Sequence, residues 1–267
     1  MNKRTIRLLI SFDGTAYKGW QRQRAVPTIQ GALEQTLSRI CNEQVNVHGA
    51  GRTDAGVHAL GMVAHFHTSA PHSLSTFVRG TNSLLPADIR VLDADEADHD
   101  FHSRFSAVAK TYRYDFFTGN IMAPTRRLYE SHFPGMFDPR PVRECLKIIT
   151  GRHDFSAFEG TGSRDRTAQG GRGAVRTILQ AELRKNQEMS HHFSLFFTGD
   201  GFLRHMVRNL VGTLIPVGRG KISPAEFQAI LNSRDRKTAG PTAPPCGLFL
   251  VKIYYSRHEI ATRERRA

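Results

Sequence analysis

Cysteine is scarce in this 267-residue chain, which holds only Cys41, Cys145 and Cys246, each far from the next. Such a set matches neither a disulfide framework nor a CxxC metal pattern, so a stapled secreted module is excluded and a reducing compartment is expected. Long apolar runs are missing too. Leu248-Phe249-Leu250-Val251 is one of the longest, against the roughly 20 residues of a membrane-crossing helix. The basic opening Met1-Asn2-Lys3-Arg4 is followed only by Leu8-Leu9-Ile10 before Ser11 and Asp13, which is not a signal peptide, and the cytoplasm is the expected location with no membrane partner. Acids are few beside bases: 24 Asp and Glu against 37 Lys and Arg give a formal net charge of +13. Charge of that size speaks for a polyanionic partner, nucleic acid before anionic membrane, and says little about fold. With 39% apolar and 23% charged residues the chain is ordinary globular material, long enough for two compact domains or one large one.

Periodicity organises the chain. Ile6, Leu8, Ile10 and Phe12 alternate as a half-buried strand that Asp13-Gly14 ends. Thr28 caps a helix carrying Ile29, Leu33, Leu37 and Ile40 at spacings of three and four. Val45 and Val47 predict a short second strand, and Met62, Ala64 and Phe66 a third. A helix through Leu74, Phe77, Val78 and Leu84 stops at Pro86, and Ile89 and Val91 open a fourth strand. The order β-α-β-β-α-β is that of a ferredoxin-like split arrangement. Residues 93–100 then place five acids in eight positions, which suits a solvated connection.

The same order restarts beyond it. Val108, Tyr112, Tyr114 and Phe116 alternate; Val142, Cys145, Leu146 and Ile149 form a helix closed by Gly151; Val175, Leu179, Ala181 and Leu183 pair as a hairpin with Phe193, Leu195 and Phe197. Phe202, Met206, Leu210 and Leu214 predict a long helix on which Arg204 and Arg208 stand one turn apart as a basic stripe or a solvated face. Ser223, Pro224 and Glu226 start a short helix with a capping box, and a strand from Leu248 to Ile253 ends the pattern. The expected fold is therefore α+β, two ferredoxin-like (βαββαβ) halves with antiparallel sheets and a basic active-site cleft between them. Residues 1–104 form the N-terminal domain and 105–267 the C-terminal one. Two connections, 118–140 and 159–173, are too long to be passive. The second is rich in Gly and carries Arg164, Arg166 and Arg172, as either solvated chain or a phosphate-contacting flap.

Between the second and third strands the chain reads Gly49-Ala50-Gly51-Arg52-Thr53-Asp54-Ala55-Gly56-Val57-His58-Ala59. Three glycines permit tight turns and close approach of another molecule. An Asp in such a loop is a turn former or cap as readily as a reacting group. Tyr112 fits a buried strand as well as a stacking platform. His58, His65, His67, His191 and His192 sit in no metal-binding frame, so no metal is expected.

AGRTDAGVHA (50–59) closely resembles the active-site motif of the TruA family of tRNA pseudouridine synthases. GWQRQ (19–23), TIQGALE (28–34), NSLLPADIRV (82–91), FHSRFSAVAKTYRY (101–114), HDFSAF (153–158), GFLRHMVRNLVGTLIPVGRG (201–220) and TAPPCGLFLVKIYY (242–255) resemble further family blocks, in the family's order. The resemblance implies that Asp54 is the catalytic aspartate and that Tyr112 stacks on the target base. It implies equally that Arg208 pairs with the carboxylate, that Leu248 lies under the base, and that Arg52 fills the space a flipped uridine vacates. Met62 and Ser103 depart from the family pattern without touching these positions. The implied activity is cofactor-independent isomerisation of uridines at tRNA positions 38, 39 and 40, by a homodimer that binds tRNA. The alternatives are a non-catalytic RNA-binding or folding module and, more remotely, a glycosylase that stops after releasing uracil.

Overall fold

The computed structural model describes residues 3–160 and 173–264. The Gly-rich run with Arg164, Arg166 and Arg172 lies outside the described residues. Contacts divide the chain into two units, Met1–Lys110 with Phe249–Ala267, and Thr111–Leu248.

In the first unit, β1 (Arg4–Phe12) buries Ile6, Leu8 and Ile10 completely. The helix α1 (Ile29–Cys41) starts where the Thr28 hydroxyl accepts the Gly31 N–H at 3.3 Å, and it turns Ile29, Leu33 and Leu37 into the core. β2 (His48–Gly49), β3 (His58–Thr68), α2 (Leu74–Leu84) and β4 (Ile89–Ala97) complete the βαββαβ order. β1 runs antiparallel to both β3 and β4, and β2 is antiparallel to β3, which is the split arrangement the periodicity predicts.

Two expectations fail here for identifiable reasons. Val45 and Val47 are buried but lie before β2. The Val45 N–H donates to Ser38 Oγ at 3.0 Å and the Val47 N–H to Glu34 Oε1 at 3.0 Å. Side chains of α1 thus take the donors that a sheet ladder would use. The acidic segment from Asp93 to Ala97 is strand rather than solvated connection. Asp95 stands opposite Arg7 in register and is bound at 2.8 Å, and Arg4 holds Glu96 at 2.9 Å. Cross-strand ion pairs thus make a charged sequence compatible with a sheet edge.

The second unit contains β5 (Ala109–Phe117, whose first two residues count with the first unit), β6 (Ser131–His132), α3 (Pro139–Ile149), β7 (Gly151–Asp154), β8 (Val175–Lys185), β9 (His192–Gly199), α4 (Met206–Gly218) and α5 (Pro224–Ser233). Its strands follow the order β5-β9-β8-β7, antiparallel between β7, β8 and β9, while β6 adds parallel to β5 inside the long 118–140 connection. The capping box at α5 is present on both sides, Ser223 with Glu226. A register shift between Ile178 and Gln180 leaves Leu179 exposed instead of inward. The Arg204 and Arg208 stripe does not form, because His205 has φ +61° and α4 begins only at Met206. Arg204 precedes the helix, with its carbonyl accepting the Gly160 N–H at 2.8 Å. The last strand, β10 (Leu248–Tyr254), runs parallel to β3, with Phe249 opposite His58 and Leu250 opposite Ala59. The fold is α+β, and no helix among the described residues is long and apolar enough to cross a membrane.

A histidine chain threads the first unit. His65 is 1% exposed, its Nδ1 accepts the Ser103 N–H at 3.2 Å, and the rings of His48 and His102 lie 5.1 and 4.8 Å away. Burial first, then the charges of His102, His48 and His67, push the His65 pKa down to about 4. The unfolded chain therefore binds a proton near its ordinary pKa of 6.5 that the folded chain refuses until about 4, and stability falls as pH drops through that window. The full cost is on the order of 3 kcal/mol. Urea unfolding at pH 7 and pH 4.5 should show a clear loss in the parent and a smaller pH-dependent loss in His65→Gln; equal losses would assign acid lability to other groups.

Candidate active site

The Asp54 loop is shaped by backbone that comes from residues 14–20. Asp54 closes a turn by accepting the Val57 N–H on its carbonyl at 3.2 Å, with Gly56 at φ +74°. The Gly56 N–H donates to the Tyr17 carbonyl at 3.3 Å and the Trp20 N–H to the Thr53 carbonyl at 3.1 Å. Gly19, at φ +91°, passes so near that a Cβ there would lie 2.5 Å from the Thr53 oxygen. The chain's single Trp, Trp20, is 2% exposed and packs on Gly49, where a Cβ would meet the indole at 2.5 Å. At the far end of the loop His58 Nδ1 accepts the Gly14 N–H at 3.1 Å, lies 3.1 Å from Asp13 Oδ1, and stacks its ring on Phe249 at 4.7 Å.

From the other side, Lys110 Nζ donates to the Ala50 carbonyl at 2.6 Å. Burial, helped by the nearby Arg104 charge, pushes the Lys110 ammonium down to about 8. Asp54 is half-buried and Arg52 exposed. A loop fixed from both flanks holds its carboxylate in position.

Tyr112, Arg208 and Leu248 belong to the second unit, whereas Arg52 and Asp54 share the first. Tyr112 is 8% exposed on β5, with its ring edge-on to Phe202 at 5.0 Å. Arg208 lies in the first turn of α4. Its Nε donates to the Ala243 carbonyl at 2.7 Å and its own carbonyl accepts the Ala243 N–H at 3.1 Å. The next residue, Asn209, anchors the helix: its Nδ2 donates to the Phe158 carbonyl at 2.8 Å and its Oδ1 accepts from the Thr242 hydroxyl at 2.7 Å. Leu248 is buried at the head of β10, just after the 3-10 turn Pro245–Gly247. Among the described residues no three His, Cys, Asp or Glu side chains are grouped to hold a metal.

Residues 8–106 and 146–256 match a family model described as tRNA pseudouridine synthase. The chain belongs to the tRNA pseudouridine synthase family. Its relatives include tRNA pseudouridine synthase A 1 of Desulfotalea psychrophila, 52% identical over 94% of this chain and 100% of that one. The enzymes named tRNA pseudouridine synthase A of Syntrophotalea carbinolica and Maridesulfovibrio salexigens are 40% and 41% identical, each over 94% of this chain and 96% and 90% of theirs. Membership makes the protein an isomerase.

The two departures from the family pattern are absorbed inside this pseudouridine synthase. The Ser103 hydroxyl, fully buried, donates to the His48 carbonyl at 2.6 Å and lies 3.0 Å from His65 Nδ1. Met62 is fully buried on β3, opposite Ile10. The loop's supports, Gly14, Gly19, Trp20 and Lys110, have no chemistry of their own to draw the eye in a sequence. For Gly19, Trp20 and Lys110 the signal is positional: GWQRQ and the Lys two residues before Tyr112 stand in blocks resembling the family's.

Proposed function

We propose that the protein converts uridine to pseudouridine at positions 38, 39 and 40 of the tRNA anticodon stem-loop, with Asp54 as nucleophile. The carrying observation is the Asp54 turn, held between the Gly19–Trp20 backbone and Lys110, in a chain that matches the family model on both sides of that motif. The reaction breaks the N1–C1′ bond, turns the uracil and joins C5 to C1′, while the hydrogen on C5 is exchanged for one on N1. No atom is gained or lost overall, so a positioned carboxylate suffices to form and release a covalent adduct without any oxidant or cofactor. Extruding the base from paired RNA costs a few kcal/mol, which an aromatic platform offsets by roughly 1–3 kcal/mol. In this proposal Tyr112 supplies the platform, Leu248 the apolar bed, Arg208 the partner of the carboxylate, and Arg52 the side chain that enters the space left in the stem. In this reading the unit bearing Asp54 and Arg52 supplies the nucleophile, and the unit bearing Tyr112, Arg208 and Leu248 the groups that meet the base and the carboxylate. The assembly we propose is a cytoplasmic homodimer on tRNA.

The test is to incubate the protein with an unmodified tRNA transcript and quantify nucleosides after digestion. Pseudouridine at 38–40 supports the proposal. Free uracil would indicate a glycosylase, and tight binding without either product an RNA-binding module. The net charge of +13 adds a prediction about affinity. Each phosphate neutralised on single-stranded RNA contributes a slope of about −0.7 in log K against log salt. Filter binding between 50 and 200 mM salt should weaken at least tenfold, and a flat response would remove the electrostatic contribution.

A further inference from the structure

Beside the Asp54 loop, wholly within the first unit, opens a cavity of about 460 Å³ that includes Arg52 but not Asp54 in its lining. Its volume falls in the roughly 300–1,000 Å³ range of small-ligand sites. Its base is a closed polar network. Gln30 Nε2 donates to Glu34 Oε1 at 2.9 Å and to the Val47 carbonyl at 3.1 Å, and Gln30 Oε1 accepts the Arg22 N–H at 2.8 Å. Glu34 is the single acid of the lining, and Arg22 binds it at 2.9 Å, so Arg52 and Arg104 leave the cavity net positive.

The lining also carries the feature that selects the ligand. Phe105 is 76% exposed, on a turn fixed by the Arg104 and Phe105 N–H groups donating to His102 Nδ1 at 3.1 and 3.3 Å. The His102 ring lies 4.3 Å from the Phe105 ring, and the Arg104 guanidinium 5.6 Å from it. An exposed aromatic ring held on a hydrogen-bonded turn, with a guanidinium beside it in the lining of a basic cavity, is what an unpaired nucleotide requires. The base stacks, and a flanking phosphate meets the Arg104 guanidinium.

We propose that this cavity receives a second nucleotide of the RNA, unpaired and close to the uridine being isomerised, stacked on Phe105 with its phosphate on Arg104. The inference rests on the RNA substrate proposed above and adds to it a subsite that sets which loops are accepted. The decisive variants are Phe105→Ala, Phe105→Trp and Arg104→Gln, compared by filter-binding Kd for the unmodified transcript and by single-turnover rate at saturating enzyme. Phe105→Ala should raise Kd about tenfold and leave the saturated rate within about twofold, with Phe105→Trp restoring affinity. Arg104→Gln should weaken binding and lower the salt slope by about 1. An unchanged Kd for Phe105→Ala overturns the subsite. So does a change of sedimentation coefficient with affinity per chain intact, which would make Phe105 a contact between protein copies. Because Phe105 is judged by binding, its result stands apart from turnover. A parent that forms no pseudouridine but loses affinity on Phe105→Ala refutes the proposed reaction and keeps the subsite.

Discussion

Asp54→Asn should abolish pseudouridine formation, by on the order of 10⁴-fold or more, while tRNA affinity stays within about threefold of the parent. Loss of that size is expected when the group removed forms the covalent bond, because no neighbouring side chain can replace it. The substitution is nearly isosteric. The turn itself is closed by the Asp54 carbonyl and the Val57 N–H, which asparagine retains. Failure to turn over would therefore reflect lost chemistry rather than a collapsed loop. The check is a single-turnover assay beside filter binding on the same transcript. Residual turnover within tenfold of the parent would transfer the nucleophile's role to another group, and a parallel fall in affinity would recast Asp54 as a structural residue.

Gly19→Ala should be nearly as damaging although residue 19 is not proposed to touch the substrate. Its φ of +91° already disfavours any side chain, and the added methyl would stand 2.5 Å from the Thr53 oxygen and 3.1 Å from the Asp54 carbonyl carbon. Either segment must move, and the Trp20 to Thr53 hydrogen bond goes with it. Displacing a reacting group by about 1 Å costs roughly 10²-fold in rate, so kcat should fall by about that factor. Gly220→Ala separates the two causes. Gly220 also has positive φ, +70°, yet a Cβ there meets nothing within 4 Å. It should lower Tm with a cost of about 1 kcal/mol and leave kcat alone. Equal kcat losses in both variants would mean that backbone strain alone, not pressure on Asp54, governs the effect.

Elements with one dominant local cause were legible in the sequence. β1 follows from strict alternation of Ile6, Leu8 and Ile10, and α5 from a capping box spelled by Ser223 and Glu226. Where two local causes compete, patterns mislead. Val45 and Val47 look like strand, but Ser38 and Glu34 claim their N–H groups first. Asp93, Asp95 and Glu96 look like linker until the arginines of β1 are set opposite. Helical spacing placed Arg204 and Arg208 together, and one left-handed residue, His205, parts them.

The candidate site divides along the same line. A Gly-rich loop with Arg52 and Asp54 announces itself, as does its likeness to a family motif. That the Gly19–Trp20 backbone and Lys110 brace it does not, because the bracing groups are a main-chain N–H and an ammonium that reach the Thr53 and Ala50 carbonyls only through the fold. The Phe105 cavity was illegible for a different reason: in sequence Phe105 is one more apolar residue, and only its exposure sets it apart.

The first unit is discontinuous: β3 waits for β10, so Phe249 and Leu250 reach their places beside His58 and Ala59 only after Thr111–Leu248 have been made. At about 5–20 residues per second of synthesis, a ribosome spends roughly 7–28 s on that stretch with the Asp54 loop already out of the exit tunnel. Through that interval His58 lacks the Phe249 ring that stacks on it in the finished protein. A nascent chain can therefore assemble β1, β3 and β4 early, yet its Asp54 loop acquires the Phe249 brace only after the whole second unit has been made. Chains stalled or terminated within that stretch would then present the loop without that brace, which couples synthesis of the second unit to completion of the first unit's chemistry.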